Sequence, residues 1–511
     1  MTQLRQNRLR QTEYDTIATE KTGTEQTFQK RLKRMNRNRD RLREYFMEMR
    51  YSKGEMPDRT SLIGLGLTWA IIASVFSVMV GQLGAGLRTD DPFLVILFIQ
   101  KMMFFTGVSI ILQIVAGHRL PAMFGPSVIM LIACISARDV LPVVLSMVLA
   151  TGGICFVLMA QTRVLDPVVR LFTPEVTAIS LVLVSLGLIP SILDQITSSV
   201  LPGHVIFKIV FAVLLTAVMF VSGRYLKGFI KATYYLWILV LGSIAVFVLW
   251  QTFPEIVSYP SFSVPFSDTA EHFFSAFADV SGKGAGSVVE SAGFSGQDLK
   301  RTIMPQYVSV LFPVLICYLS LTANEIGSLK SVSDIISADI DKKCIRRTLT
   351  LTGLLNTVAG LFGIVGGVNY SISTGVILEN KNASEYPIMA GGLLLIAVSF
   401  SPALINLFMI VPGIVTACLL LYVMILQMRA ALLLLAREIV RKRDERQKTA
   451  SRIVLVICVI VTLGVSYLPE SFLVSLPEII RPVFSNGFIV GMIVLILLEQ
   501  IVARKYGEKG H

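Results

Sequence analysis

The chain has 511 residues, of which 54% are hydrophobic and 16% charged. An ordinary soluble domain carries about 25% charged residues, so a soluble globular reading is excluded. The net charge of +12 collects in the N-terminal tail and in short loops. That placement follows membrane topology and argues against nucleic-acid binding.

Residues 1–60 read as a basic tail, with fifteen Lys/Arg against nine Asp/Glu up to Arg59. Its stretch from Phe28 to Arg50 fits either a basic amphipathic helix on anionic headgroups or a solvated segment that fixes orientation. The first apolar run begins near Ser61, too late for a secretory signal peptide, so insertion through an uncleaved first helix is expected.

Fourteen spans are predicted, at 61–86, 92–116, 119–135, 139–161, 173–193, 204–223, 229–251, 305–329, 346–364, 366–379, 386–402, 404–427, 452–469 and 486–503. Stretches of about 20 apolar residues cross a bilayer. With the tail in the cytoplasm, the loops after even-numbered spans should be basic. They are: Gly117–Arg119, Arg163–Arg170, Arg224–Lys231, Lys330–Arg347 and Arg429–Arg452. The long loop 252–304 carries three Lys/Arg and six Asp/Glu, which places it outside. An even count returns the C-terminus to the cytoplasm. The six cysteines are scattered without a CxxC pair, and with four histidines they suggest neither a disulfide framework nor a metal site.

Two short, small-residue segments interrupt the apolar pattern at matching places in the two halves. The first is Leu120-Pro-Ala-Met-Phe-Gly-Pro-Ser-Val128, and the second runs from Gly363 through Asn369-Tyr-Ser-Ile-Ser373 to Gly375. Broken helices that face one another offer backbone N–H and C=O groups to a polar solute near the midplane. The competing reading is close helix packing through small residues. Two ionisable residues fall within apolar spans, Glu325 and Lys101. Glu325 fits a coupling proton or half of an ion pair with Lys101, and Lys101 also fits a snorkelling position. No nucleophile–base pair, cofactor fingerprint or metal motif points to an enzyme.

Five stretches in this order and spacing resemble the nucleobase–cation symporters, the nucleobase–ascorbate or uracil/xanthine permease family. They are Gly117-His-Arg-Leu-Pro-Ala-Met-Phe-Gly-Pro-Ser127, Phe172-Thr-Pro-Glu-Val-Thr-Ala178 with Gly187, Ala323-Asn-Glu-Ile-Gly-Ser-Leu329, Gly353–Gly363 with Tyr370 and Gly375, and Ile410-Val-Pro-Gly-Ile-Val415. The resemblance implies an all-α polytopic fold of two inverted seven-span repeats, with spans 3 and 10 broken or extended. It implies a core domain of 61–162 and 305–403, a gate domain of 163–251 and 404–503, and a short C-terminal tail at 504–511. It further implies a homodimeric, proton- or sodium-coupled plasma-membrane importer of a nucleobase, without a cofactor, with lipid as its other partner.

The substrate residues so implied are Trp69, Ser127, Val128, Asn324, Glu325, Ser328, Tyr370, Ser371, Ile372 and Ser373. The sequence departs from the family pattern at several of them. Asn324 stands where a carboxylate is usual, and the acid, Glu325, comes one residue later, about 100° around a helix. Ile372 and Ser373 replace an acid or amide followed by Asn. Trp69 stands where uracil carriers often have His, and its ring would suit stacking on a flat substrate. An anion carrier of similar architecture and a non-transporting receptor remain the alternatives.

Overall fold

The computed structural model describes residues 49–87, 92–198, 205–226, 230, 234–252, 296–336, 338–401, 404–405, 411–442 and 445–507. Two units are distinguished, residues 1–52 and 53–511. In the first, the Arg50 guanidinium lies 5.3 Å from the Tyr51 ring centroid. The expected amphipathic helix up to Arg50 and the outer loop lie almost wholly outside the described residues.

Among its described residues the second unit is helical, with one two-stranded ribbon at its heart. Its first half contains α1 (Arg59–Gly86), α2 (Pro92–Val115), β1 (Phe124–Pro126), α3 (Val128–Ser136), α4 (Pro142–Gln161), α5 (Leu165–Leu171), α6 (Pro174–Gly187), α7 (Ile189–Thr197), α8 (Val205–Tyr225) and α9 (Tyr234–Thr252). Its second half contains α10 (Gly296–Ile336), α11 (Lys342–Leu361), β2 (Gly367–Asn369), α12 (Ser373–Asn380), α13 (Tyr386–Ser399), α14 (Gly413–Arg441), α15 (Glu445–Ser466), α16 (Glu470–Ser475), α17 (Arg481–Phe484) and α18 (Gly487–Gly507).

Among the described residues, eight helices are long and apolar enough to cross a membrane, and three shorter apolar ones accompany them at Tyr234–Leu249, Tyr386–Ser399 and Gly487–Ile501. The protein is therefore a helical multi-pass membrane protein. Local chemistry starts these helices. Asp58 accepts the Ser61 N–H at the start of α1, and Thr173 caps α6 ahead of Pro174 in its first turn.

Several predicted ends move. α14 begins at Gly413 and runs on to Arg441, where the sequence reading ended a span at 427 and opened a basic loop. The arginines there lie on a helix whose other face still buries Ala431 and Leu435, so charge alone does not end it. α10 likewise extends from Gly296 to Ile336 with Pro305 and Pro313 inside it. The predicted fifth span is two helices meeting at Leu188, just ahead of Pro190.

Packing gathers the helices into two groups. α4 lies along α11 and α10, and α13 lies along α1 and α2. Separately, α14 packs on α6, α7 and α8, while α18 packs on α15 and α6. Glycine permits the closest approaches. A Cβ on Gly391 would sit 2.8 Å from Trp69 Cβ, and one on Gly360 would sit 2.5 Å from the Ala150 nitrogen.

The two interrupted segments pair as antiparallel strands, Phe124 with Asn369, Gly125 with Val368 and Pro126 with Gly367. The pairing extends at both ends, from Ser127 N–H to Gly366 O and from Tyr370 N–H to Met123 O, each 2.8 Å. Backbone groups released by breaking two helices thus satisfy each other inside the bundle. Asn356 of α11 completes this by binding both the N–H and the C=O of Gly367, at 2.6 and 3.0 Å. Gly363 takes φ +66° to turn the chain toward β2.

Candidate functional site

Where the ribbon gives way to α3 and α12, a cavity of about 290 Å³ opens. Its size falls just below the roughly 300–1,000 Å³ of typical small-molecule sites. Six of the expected residues line it: Ser127, Val128, Asn324, Tyr370, Ser371 and Ile372. The ribbon delivers the first two and the last three, and α10 delivers Asn324.

The remaining walls went unnoticed in the sequence. Phe76 of α1, Tyr235 of α9, Leu181 and Val184 of α6, and Met424 and Gln427 of α14 all line the cavity. The Phe76 ring lies 5.0 Å from that of Tyr370 and 5.7 Å from that of Tyr235, centroid to centroid. The Tyr370 hydroxyl donates to Pro126 O, which pins its ring to the ribbon. Three aromatic rings from three elements thus form one corner of the cavity. Gln427 had a visible signal, as a lone amide after an apolar run in α14. Phe76 had none beyond its place on an apolar helix.

Four expected residues sit elsewhere. Trp69 is 2% exposed and is used in the close contact of α1 with Gly391 of α13. The cavity meets α1 on the same helical face but two turns later, at Phe76. Ser373 is fully buried, and its hydroxyl accepts the Met123 N–H at 2.9 Å. Ser328 is buried, and its hydroxyl has no hydrogen-bond partner among the described residues.

Glu325 is the most informative correction. It is fully buried, away from the cavity lining and behind the ribbon. Its carboxylate accepts from the Asn369 N–H at 2.9 Å, from Asn369 Nδ2 and from Thr352 Oγ1 at 2.8 Å. Lys101 of α2 is not among its partners, so of the two readings open for Glu325 the ion pair with Lys101 is not the one formed. One position along α10 separates the cavity-facing Asn324 from this buried acid.

The acid belongs to a directional chain. The Leu120 N–H donates to His118 Nδ1 at 2.9 Å, so the imidazole proton resides on Nε2. Nε2 lies 3.0 Å from Asn369 Oδ1 and donates to it, which turns Asn369 Nδ2 toward Glu325. On the other side Gln113 Nε2 donates to Thr352 Oγ1 at 2.8 Å. His118 lies in the connection between α2 and β1, outside the spanning helices. Burial, with Arg347 and Lys53 adding repulsion, pulls its pKa down to about 4 and keeps it neutral.

A helical bundle with a central cavity at paired broken segments has the layout of a membrane carrier site. The permease-family profile for xanthine and uracil carriers matches residues 59–471, and the chain belongs to this uracil/xanthine permease family. It is 22% identical over 421 residues to Putative purine permease YwdJ of Bacillus subtilis, covering 79% of this chain and 87% of that one. It is 22% identical over 340 residues to Putative purine permease CPE0397 of Clostridium perfringens, covering 66% and 67%. In fold it is similar to the transmembrane domain of a cyanobacterial bicarbonate transporter, BicA, with a TM-score of 0.50 and 13% identity over 84% of this chain and 99% of that one.

Proposed function

We propose that this protein is a secondary active importer of a nucleobase or closely related planar heterocycle, working by alternating access. The observation that carries this reading is the cavity, walled by Phe76, Tyr235 and Tyr370 and given polar points by Ser127, Asn324 and Gln427. Aromatic faces suit a flat ring, and hydroxyl and amide groups suit its edge. No Lys, Arg, His, Asp or Glu is among the described residues of the lining. That favours a neutral ring over an inorganic anion, and Lys101, the residue that spoke for an anion carrier, is not in the lining.

The two packing groups support a core of 61–162 and 305–403 and a gate of 163–251 and 404–503. Counting the two ribbon-plus-helix segments and the more polar α11 with the eleven apolar helices gives the fourteen spans of this reading. Loop charges support a plasma-membrane orientation with both termini in the cytoplasm. At the end assigned outside, Arg138 pairs with Glu470 at 2.9 Å, and Ser485 Oγ donates to Ser136 O at 3.0 Å. These contacts tie the two groups together there, and Lys342 and Asp166, 4.0 Å apart, join them at the end assigned inside.

The coupling ion in this reading is a proton and Glu325 is its carrier. A proton on Oε2 sets a donor opposite the fixed Asn369 N–H, and one on Oε1 weakens the acceptor for Asn369 Nδ2 while the Thr352 hydroxyl turns to accept it. That loosens the ribbon strand which leads into Tyr370, so the proton acts on the substrate wall from behind. The test is uptake of radiolabelled hypoxanthine, xanthine, uracil and urate into proteoliposomes, with and without an inward proton gradient. Gradient-driven accumulation of a ring compound is expected. Binding without flux would leave a receptor, and exchange of inorganic anions alone would leave an anion carrier.

A further inference from the structure

The two carboxamides of the cavity hold hydrogen-bonding capacity that the protein does not use. Asn324 makes no side-chain hydrogen bond to the described protein. Gln427 donates once, from Nε2 to Leu181 O at a long 3.4 Å, and its Oε1 accepts from none of the described residues. Each amide offers two donor hydrogens and an acceptor oxygen. They come from different helices, α10 and α14, and their surroundings are mostly apolar: Val184, Val368, Val423, Met424 and Ala430. Polar capacity left unused beside apolar walls is what a ligand of matching pattern would satisfy.

We infer that Gln427 and Asn324 together read two edges of a neutral oxopurine, its N1–H/C6=O lactam and the N–H/N pair on the imidazole side, so that the site takes hypoxanthine- or guanine-type bases and rejects the urate anion. This rests on the nucleobase reading above. A lactam presents N–H beside C=O, the complement of a carboxamide, and a bicyclic base has edges for two such groups. The rejection of an anion follows from the same walls. A carboxamide gives a buried negative charge no counter-charge, and none stands in the described lining. The helix starts nearby are also largely spoken for. The N–H groups of Ser373, Thr374 and Gly375 donate to the carbonyls of Tyr370, Ser371 and Ile372, and Ser127 Oγ accepts the Met130 N–H. Little of the usual attraction of a helix N-terminus for an anion is left. Gln427 belongs to the helix group opposite the ribbon, so ring recognition bridges both groups.

The experiment measures hypoxanthine affinity and uptake in proteoliposomes of the full chain, with urate as competitor, for the wild type, Gln427→Leu and Gln427→Glu. The expected result is hypoxanthine uptake that excess urate leaves unchanged, with Kd raised about tenfold by Gln427→Leu, the value of one lost hydrogen bond. Gln427→Glu keeps the shape and removes the donors, so it carries the test if the leucine variant folds poorly; it too should weaken hypoxanthine. Hypoxanthine uptake with equal competition by urate, or unchanged affinity in both variants, overturns the inference and leaves the nucleobase reading standing. Absence of uptake for every ring compound overturns both.

Discussion

Replacing Glu325 by Gln tests whether the acid behind the ribbon both holds it and senses protons. The bonding chain fixes every orientation around this side chain. The Leu120 N–H holds His118 as its Nε2–H form, that hydrogen holds Asn369 Oδ1, and Asn369 Nδ2 must therefore face Glu325. The Asn369 backbone N–H faces the other oxygen and cannot turn. A glutamine NH₂ at either position meets a donor. One bond to a charged acceptor is lost, worth about 1.5–3 kcal/mol, and one buried donor is left unpaired, costing about 1–3 kcal/mol. Removal of a buried charge offsets part of this, so a net loss of about 2–4 kcal/mol is expected. Thermal unfolding in detergent should show a clearly lowered midpoint, and hypoxanthine should bind more weakly because Tyr370 follows directly on Asn369. Uptake should lose its dependence on a proton gradient, since this variant mimics the protonated acid. Wild-type thermal stability would refute the bonding argument, and gradient-driven accumulation at the wild-type level would refute the coupling role.

Asn356→Leu removes both bonds to Gly367 and leaves two buried backbone groups unpaired, a loss of about 2–5 kcal/mol that the same thermal assay should report. Gly125→Ala places a Cβ 2.8 Å from the Tyr370 ring; overpacking of this kind costs about 1–3 kcal/mol, and because the ring is a cavity wall, hypoxanthine Kd should rise roughly tenfold or more. His118 makes stability depend on pH. With its folded pKa held near 4 against about 6.5 when unfolded, the unfolded chain binds more protons between these values. Stability is therefore full above about pH 6.5 and falls as pH drops toward 4, by about 3 kcal/mol in all. Melting curves from pH 7.5 to 4.5 should show this slope, and His118→Gln should flatten it.

The sequence disclosed the fold because membrane architecture is written in quantities that survive without coordinates. Apolar length marks spanning helices, loop charge orders them, and Gly/Pro breaks locate the one place where backbone must leave a helix. Segments 120–128 and 363–375 stood out on that ground, and they are the two that pair as β1 and β2. Helix ends were less legible. A charged helix end held by its buried stripe, as in Arg429–Arg441 of α14, looks like a basic loop to a count of charges.

Within the site, residues fixed by the backbone break were found, and of those fixed by helix rotation only Asn324 was. Ser127, Val128, Tyr370, Ser371 and Ile372 follow from where the ribbon ends, so their sequence position nearly determines their place. Trp69, Ser328 and Glu325 depend on which face of a long helix turns to the cavity, and apolar periodicity in a buried helix carries little directional information. The Asn324–Glu325 pair shows the consequence. A carboxylate in the cavity would interact with substrate directly; moved one residue, it binds the strand that carries the substrate wall instead. Asn324 keeps the cavity neutral, while Glu325 keeps a charge within reach of the same ribbon. Under the proposed function, the displacement separates recognition from proton binding, with the Asn369–Tyr370 peptide as the link between them. Asn369→Ala, which removes the side-chain bond to Glu325 and keeps the backbone one, should weaken the dependence of hypoxanthine binding on pH and leave the cavity residues in place.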